Sequence, residues 1–179
     1  MDHRPLIAVA GDGGLGRGDP RYQLAQDLGR ALVDARYRLV CGGHGGVMEA
    51  ACRGARESSA HTDGDVIGIL PGLDPAEANP WVDVALPTGL GHLRNMVVAR
   101  SDALVAIGGQ AGTLSEMALA WIHRRPVIGF RVPGWSGRLA DQRIDGRVRF
   151  PDRPDDKVYG VDHPDEVVEL LRWLVGVPR

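Results

Sequence analysis

Short apolar runs alternate with longer amphipathic segments along this chain. The apolar runs predict buried strands over Leu6–Ala10, Arg38–Cys41, Val66–Leu70, Ala103–Ile107 and Val127–Phe130. After Pro20, the residues Leu24, Leu28 and Leu32 recur at the spacing of one helix face, which predicts a first helix there. Further helices are expected over Val47–Glu57, Arg94–Arg100, Thr113–His123 and Asp162–Val175.

The regular alternation of strand and helix predicts the fold class. It is typical of a parallel sheet with helices on both faces, so we expect one Rossmann-like, doubly wound α/β domain over residues 1–179. Two passages break the pattern. Pro71–Pro87 is proline-rich and contains a short extended piece, Trp81–Leu86, while Arg131–Asp156 is too polar and irregular for the core. We expect residues 131–156 to form a long functional or mobile flap, followed by a C-terminal helix over 162–175.

Composition and charge narrow the range of functions. With 44% hydrophobic and 25% charged residues, the 179-residue chain resembles an ordinary globular protein. Its net charge is −2 and its basic residues are scattered, so we expect no nucleic-acid partner. No segment has the length of a signal peptide or a membrane helix, which predicts a cytoplasmic protein without a membrane partner. Cys41 and Cys52 lack metal-type spacing with histidine, and we expect core thiols and no metal site.

Glycine-rich turns directly follow several of the predicted strands. The carboxyl ends of parallel strands share one edge of the sheet, so these turns converge on a single crevice, where we expect a small-molecule site. The candidate ligand contacts in the first two turns are Gly11, Asp12, Gly13, Gly42, Gly43 and His44. A loop histidine such as His44 could reach the ligand, although such a residue is more commonly just solvated.

The turn after Ala103–Ile107 has the sequence of a phosphate cradle. Glycines allow the backbone to turn tightly with its N–H groups pointing outward, and Thr113 then begins a helix. An anion at this helix start would meet unpaired N–H donors, the positive end of the helix dipole and a hydroxyl group. The predicted phosphate or ligand contacts are Gly109, Gln110, Ala111, Gly112 and Thr113.

Two charged residues near the cradle are candidates for catalysis. Glu116 follows the cradle by one helical turn, where it could bind a sugar hydroxyl or steady a developing positive charge, or only complement the helix dipole. Arg94 stands beside His92 at the start of the preceding helix. Its planar guanidinium could hold a phosphate or a purine edge, or it could be an ordinary surface charge.

Two common nucleotide motifs fit poorly. Gly11–Gly16 matches the dinucleotide fingerprint GxGxxG, but Arg17–Pro20 intervene before helical periodicity begins. The second strand ends in Cys41 and two glycines, without the acid that binds a ribose diol. The turn GGHGGVME lacks the Lys and Ser/Thr of a P-loop. We therefore expect neither a dinucleotide nor a nucleoside triphosphate.

Several longer motifs point to a family. GGHGGVMEAA, VIGILPG, ANPWVDVALPTG, RNMVVARSDALVAIGG and AGTLSE occur in this order between about Leu6 and Phe130. Together they resemble the Lonely Guy (LOG) superfamily, formerly called lysine decarboxylases, and most of all its molybdenum-cofactor-carrier-like branch. The resemblance implies a Rossmann-like fold, a homodimer or larger homo-oligomer such as a homotetramer, and a small phosphorylated ligand.

Enzymes of this superfamily remove the base from nucleoside 5'-monophosphates, using an arginine from MxxRK and a glutamate from PGGxGTxxE. The second motif aligns with Gly108–Glu116, where Glu116 and the Gly–Thr pair are kept and Ser115 replaces the first of two acids common in cytokinin-activating members. In the first motif, Arg94 lacks the Met and the Lys, and its spacing to Glu116 is one residue short. The resemblance implies Glu116 and Arg94 as catalytic residues and Gly109–Thr113 as a phosphate site.

Two functions fit this combination of residues. A phosphoribohydrolase would use Glu116 at an oxocarbenium-like state and release free base and ribose 5-phosphate. A non-catalytic carrier or sensor of the molybdenum cofactor or a related phosphorylated pterin would need only the cradle, and Trp135 in the flap could stack on its flat ring. Decarboxylation with pyridoxal phosphate does not fit, because the only lysine, Lys157, lies outside every glycine motif. No resident cofactor is expected.

Large apolar residues on the predicted helices suggest self-association. The predicted helices carry more large apolar residues than one sheet face needs to cover it, namely Met96, Met117, Leu119 and Trp121. This excess predicts a homodimer or homotetramer. The alternative is that these side chains all belong to the core.

Overall fold

A computed structural model of the protein describes residues 4–153 and 155–178; Pro154 of the predicted flap lies outside these ranges. The described residues form one seven-stranded sheet of β1 (Leu6–Gly11), β2 (Arg38–Cys41), β3 (Val66–Leu70), β4 (Val84–Pro87), β5 (Ala103–Ile107), β6 (Val127–Phe130) and β7 (Val158–Val161). Within the same ranges, the six α-helices are α1 (Pro20–Asp34), α2 (Val47–Arg56), α3 (Asn95–Ala99), α4 (Ala111–Ile122), α5 (Trp135–Leu139) and α6 (Pro164–Leu174). Short 3₁₀ turns occur at Pro75–Glu77 and Gly91–Arg94. None of the helices in these ranges is long and apolar enough to cross a bilayer.

The strand order reverses beside β1. All neighbouring strands are parallel, and the order across the sheet is β4-β3-β2-β1-β5-β6-β7. The connections from β1 and β5 therefore leave in opposite directions, although the two strands pair directly from Ile7 and Ala103 to Gly11 and Ile107. In open α/β sheets such a switch point opens a crevice at the carboxyl ends of the strands. The predicted Rossmann-like, doubly wound fold is confirmed.

Helices cover both faces of the sheet because successive strand residues point to opposite sides. In β1, Ile7 and Val9 join the core cluster that includes α1, α2 and α6, while Ala8 and Ala10 join the cluster beneath α3 and α4. The same alternation continues in β2, β5 and β6. Each central strand is thus buried on both sides, which explains its continuous apolar sequence.

The α1 and α2 helices approach each other closely through glycines. A Cβ atom at Gly29 would collide with the carbonyl oxygen of Ala51, and one at Gly54 with that of Gln26. Both glycines lie inside helices, where alanine ordinarily has the higher propensity. Their presence there follows from the close backbone contact between α1 and α2.

The chain after β6 is more regular than predicted. Residues 131–156 contain the short helix α5, and they are followed by β7, an edge strand missed by the sequence pattern. Ser136 of α5 is fully buried, accepts from the Gly108 N–H group at 2.7 Å and donates to the Phe130 carbonyl at 2.7 Å. The first part of the predicted flap is therefore a wall behind the glycine turn of β5.

A buried ion pair anchors the second part of the predicted flap. Arg149 is 2% exposed, pairs with Asp156 at 2.8 Å, and lies 3.5 Å from the centre of the Trp121 ring. It also donates to the carbonyl oxygens of Trp121 and Arg125, at and just beyond the end of α4. A cation there satisfies carbonyl groups that lack helical partners and complements the negative end of the helix dipole. The described residues between α5 and β7 are irregular, as the sequence predicted, and this part of the segment packs against the end of α4.

The close contact between α1 and α2 gives a stability prediction. In an uncrowded helix, Gly→Ala stabilises by about 0.5–1 kcal/mol. We expect Gly54→Ala to lower the free energy of unfolding by about 1–3 kcal/mol instead, because the methyl group overpacks the interface. Gly18→Ala is the matched control, since its Cβ would lie in open space, and it should change stability by less than about 0.5 kcal/mol. Urea denaturation of both variants checks this, and an unchanged or more stable Gly54→Ala protein would contradict it.

Candidate functional site

A cleft of about 350 Å³ opens at the switch point between β1 and β5. The turn after β1, the turn that leads into α3, and the start of α4 supply its walls. The residues that line it are Gly11, Asp12, Gly13, Gly14, Met48, His92, Arg94, Asn95, Gln110, Gly112, Thr113 and Glu116. The volume lies at the lower end of the range of about 300–1,000 Å³ that is usual for small-molecule pockets.

The start of α4 forms one wall of the cleft. The helix begins at Ala111, two residues earlier than the pattern predicted, with Gln110 as its N-cap residue. The N–H groups of Ala111, Gly112 and Thr113 belong to the first turn, where no earlier helical carbonyl can accept them. Thr113 is buried, and its side chain fills the space beside Gly109, which has a φ of +89°. This wall offers an anion the N–H donors and the positive end of the helix dipole.

Asp12 connects the β1 turn to the β5 turn. Its Oδ2 atom accepts from the Gly109 N–H group at 3.0 Å and from Arg21 Nη1 at 2.7 Å. Gly109 was predicted to contact the ligand, but its N–H group is thus directed at a carboxylate of the protein. Arg21 had no recognisable signal in the sequence beyond its position in the first turn of α1.

Arg94 and Glu116 form a buried ion pair at the base of the cleft. Arg94 Nη1 lies 3.0 Å from Glu116 Oε1, and both residues are less than a tenth exposed. Arg94 ends the 3₁₀ turn before α3, and Glu116 lies in the second turn of α4, so tertiary packing brings together two residues whose spacing departs from the LOG pattern. Within the described residues, the buried Nε atom of Arg94 has no hydrogen-bond partner.

Burial raises the pKa of Glu116 to about 7, against the lowering effect of the Arg94 charge. Desolvation disfavours the carboxylate more than a single hydrogen-bonded cation favours it. Near neutral pH the residue is therefore present in both protonation states, as is appropriate for a group that exchanges protons with a ligand or water.

The turn after β2 contacts the Arg94 side chain of the ion pair. A Cβ atom at Gly42 would collide with the guanidinium of Arg94, so a glycine is needed where that side chain crosses. Gly43 donates its N–H to Cys41 Sγ at 3.3 Å, and its carbonyl oxygen accepts from Asn79. Burial, and after it the Arg94 charge, lowers the pKa of His44 below its usual value. These turn residues are not among those that line the cleft.

Asn95 belongs to the site but was not among the sequence candidates. It is 5% exposed, and its Nδ2 atom donates to Ser115 Oγ at 2.8 Å. Ser115 donates in turn to the Gly112 carbonyl at 2.6 Å. This chain of neutral hydrogen bonds joins α3 to the first turn of α4 and holds the two cleft walls together. In the LOG-like motifs, these are the two positions at which this sequence lacks a lysine and an acid.

Trp135 does not fulfil the predicted stacking role. It is half-buried, packs against the core cluster beneath α3 and α4, and lies 5.1 Å below the Arg138 guanidinium. It is absent from the residues that line the cleft. A flat ligand in this cleft would instead meet Met48 on the α2 side.

Fold and site together define a Rossmann-like protein with a small cleft at its switch point, beside the start of α4. The profile of the SLOG cluster4 family matches residues 4–168, so the chain belongs to that family. The predicted resemblance to the LOG superfamily, and within it to the molybdenum-cofactor-carrier-like branch, is confirmed by the similar proteins.

Two solved structures and one curated relative illustrate the likeness. A molybdenum cofactor binding protein from the bacterium Rippkaea orientalis is 31% identical, with a TM-score of 0.78 over 98% of this chain and 99% of the other. The molybdenum cofactor carrier protein of Chlamydomonas reinhardtii is 28% identical, with a TM-score of 0.75 over 96% and 99%. A cytokinin riboside 5'-monophosphate phosphoribohydrolase of rice, Oryza sativa subsp. japonica, is 33% identical over 67% of this chain. The match spans about half of that enzyme, 52% of its length.

The raised pKa of Glu116 gives a pH-dependent stability. The folded-state pKa of Glu116, about 7, lies above the ordinary 4.5. The stabilisation that protonated Glu116 contributes is therefore fully present below about pH 4.5 and is lost as the pH rises through about 7. We expect the unfolding free energy of the protein, relative to Glu116→Gln, to fall by at most about 3 kcal/mol between pH 5 and pH 8.

Urea denaturation at several pH values measures this difference. Glu169→Gln, an exposed glutamate of α6, is the control and should follow the unmodified protein at each pH. Parallel pH profiles for the unmodified protein and Glu116→Gln would show that the carboxyl has its ordinary pKa.

Proposed function

We propose that the protein binds a nucleoside 5'-monophosphate and hydrolyses its N-glycosidic bond, releasing free base and ribose 5-phosphate. The observation that carries this proposal is the buried Arg94–Glu116 pair in the same cleft as the first turn of α4. A carboxyl group with a pKa near 7 beside an anion site is the arrangement that cleavage of a phosphorylated glycoside needs. The likeness to phosphoribohydrolases supports the reaction class.

The proposed roles follow from the position of each group. The phosphate binds at the first turn of α4, within the predicted contact set Gly109–Thr113, and principally at Gly112 and Thr113, which line the cleft. The ribose then lies toward Glu116, further along the same helix. Ionised Glu116 stabilises positive charge at C1' and accepts a proton from the attacking water. Arg94 keeps Glu116 partly ionised and oriented, because its charge opposes the effect of burial.

The reaction balances without a cofactor. The oxygen atom of water forms a bond to C1' of the ribose while the bond from C1' to the base nitrogen breaks. The bonding electrons leave with the base, which takes up a proton, and the other product is ribose 5-phosphate. The cleft residues need only bind, orient and exchange protons.

The activity is tested with AMP, GMP, CMP, UMP and IMP as substrates and chromatographic detection of free base. We expect turnover of at least one of them, and a decrease in kcat of about 10²–10⁴-fold for Glu116→Gln, the usual contribution of a general acid or base. Glu169→Gln should retain full activity. The proposal fails if all five nucleotides remain intact, or if Glu116→Gln is as active as the unmodified protein.

A second function, a carrier of the molybdenum cofactor or a related phosphorylated pterin, has its own support. The two molybdenum cofactor proteins share the fold over nearly the whole chain. The neutral Asn95–Ser115 hydrogen bond also stands where the LOG motifs carry charged groups. Tight pterin binding together with no turnover of any nucleotide would favour the carrier over the hydrolase.

We further propose that the protein forms a homodimer or homotetramer through α3 and α4. Of the four apolar residues singled out in the sequence, Met117 and Trp121 are fully buried and belong to the core, whereas Met96 is 51% exposed. Large exposed apolar residues on the same two helices and the turn before α3 are Leu90, Leu93, Met96, Val97 and Ile122. Exposed apolar groups that are clustered in this way are typical of interfaces.

Size-exclusion chromatography with light scattering tests the assembly. We expect the unmodified protein to have the mass of a dimer or tetramer, and the double variant Leu93→Glu, Met96→Glu to have that of a monomer, because charges at an apolar interface lose their hydration. Val148→Glu, an exposed valine in the segment after α5, is the matched control and should leave the mass unchanged. A monomeric unmodified protein would contradict the proposal.

A further inference from the structure

The anion-binding wall already contains a carboxylate of the protein itself. Asp12 accepts from the Gly109 N–H group at 3.0 Å and from Arg21 at 2.7 Å, both through Oδ2. Asp19 holds Arg21 in place by accepting from its backbone N, Nε and Nη2 atoms at 2.8–3.0 Å. Asp12 is 16% exposed at its side chain and lines the cleft. A negative charge is thus held at a defined position beside the first turn of α4.

Few cations are available in the described part of the cleft to offset that charge, since His92 and Arg94 are the basic residues that line it. Arg94 is hydrogen-bonded to Glu116, and Arg21 is shared between Asp12 and Asp19. The only lysine of the chain, Lys157, pairs with Asp141 at 3.0 Å and is not among the residues that line the cleft. For an anion, the attractive groups in the cleft are therefore chiefly the backbone N–H donors and dipole of α4, which suit a single phosphoryl group.

We propose that Asp12 is a specificity-determining residue that restricts the cleft to ligands with one phosphoryl group. A second, linked phosphoryl group would extend from α4 toward Asp12 on one side or Glu116 on the other. Such a group would bring further negative charge toward one of these carboxyl groups, and like charges repel more strongly in a partly buried site, where salt screens poorly. The inference rests on the anion site of the proposed function and applies to a nucleotide or a pterin ligand.

Inorganic phosphate and pyrophosphate are the probes for this inference, because they report on the anion site without a base or a pterin. Isothermal titration calorimetry of the unmodified protein should show phosphate binding at least about tenfold tighter than pyrophosphate binding, a difference of about 1.4 kcal/mol. Asp12→Asn, which keeps an oxygen acceptor for Gly109 and Arg21, should reduce that ratio to below about threefold by strengthening pyrophosphate binding.

Controls separate charge selection from a purely structural role of Asp12. Asp27→Asn removes the same charge from the outer part of α1 and should keep the ratio of the unmodified protein. Asp12→Ser, with a shorter neutral side chain, provides a second test of the charge if Asp12→Asn unfolds early in a thermal melt. A purely structural role would weaken phosphate and pyrophosphate binding together and leave the ratio unchanged, which would overturn the inference.

The remaining outcomes distinguish this inference from the proposed function. Equal binding of the two probes by the unmodified protein overturns selection by Asp12 and leaves the nucleotide hydrolase unaffected. Binding of neither probe overturns selection by Asp12, and the nucleotide assay then decides separately on the hydrolase. Selection of phosphate that disappears in Asp12→Asn, in a protein that neither binds nor cleaves AMP, supports Asp12 and contradicts the nucleotide hydrolase.

Discussion

The reversal of strand order between β1 and β5 is the constraint on which the rest of the structure depends. Crossover connections between parallel strands are right-handed, so helices that follow strands on opposite sides of this point must cover opposite faces of the sheet. The loops after β1 and β5 therefore diverge, and the cleft lies in the space between them. Every residue assigned to the site lies on an element that reaches this opening, or supports one that does.

Close contacts at the opening explain some of the glycines of the chain. The Gly11 Cβ position would fall too close to the carbonyl oxygen of Ile107, and the Arg94 guanidinium crosses Gly42. Residues without side chains at these points let the turns and the charged groups approach each other. The packing of the turns and the shape of the cleft thus depend on the same glycines, since each turn lines the cleft or supports a residue that does.

Two carboxyl groups of the cleft, those of Glu116 and Asp12, each lie beside an arginine. Burial holds the pKa of Glu116 near 7 in spite of Arg94, whereas Asp12 is stabilised by Arg21 and by a backbone N–H group. The two acids differ in their surroundings, because burial is the largest effect on Glu116, whereas Asp12 accepts hydrogen bonds from Arg21 and Gly109. Both proposed functions, the phosphoribohydrolase and the pterin carrier, need one anion site, which we place at the start of α4.

Local sequence determined the elements whose signals are local. The apolar runs of β1, β2, β3, β5 and β6, the spacing of α1 and α2, and the glycine turn before α4 could all be read directly, because burial on both faces and helix initiation depend on neighbouring residues. The helix α4 was predicted for the same reason, although it begins at Ala111 and not at Thr113. The edge strand β7 and the short helix α5 were missed, since Val158–Val161 is short and the polar residues of 131–156 conceal their packing.

Only the tertiary structure decided which groups meet. Arg94 and Glu116 are far apart in the chain but lie 3.0 Å apart in the fold, and Asp12 accepts a hydrogen bond from the distant Gly109 N–H group. Trp135 packs against a core cluster and does not line the cleft. No periodicity or motif spacing encodes such contacts, because they arise from the way the sheet brings separate turns to one edge. The sequence by itself predicted an anion site at the start of α4, while the packing of β1 against β5 decided which charges surround that helix start.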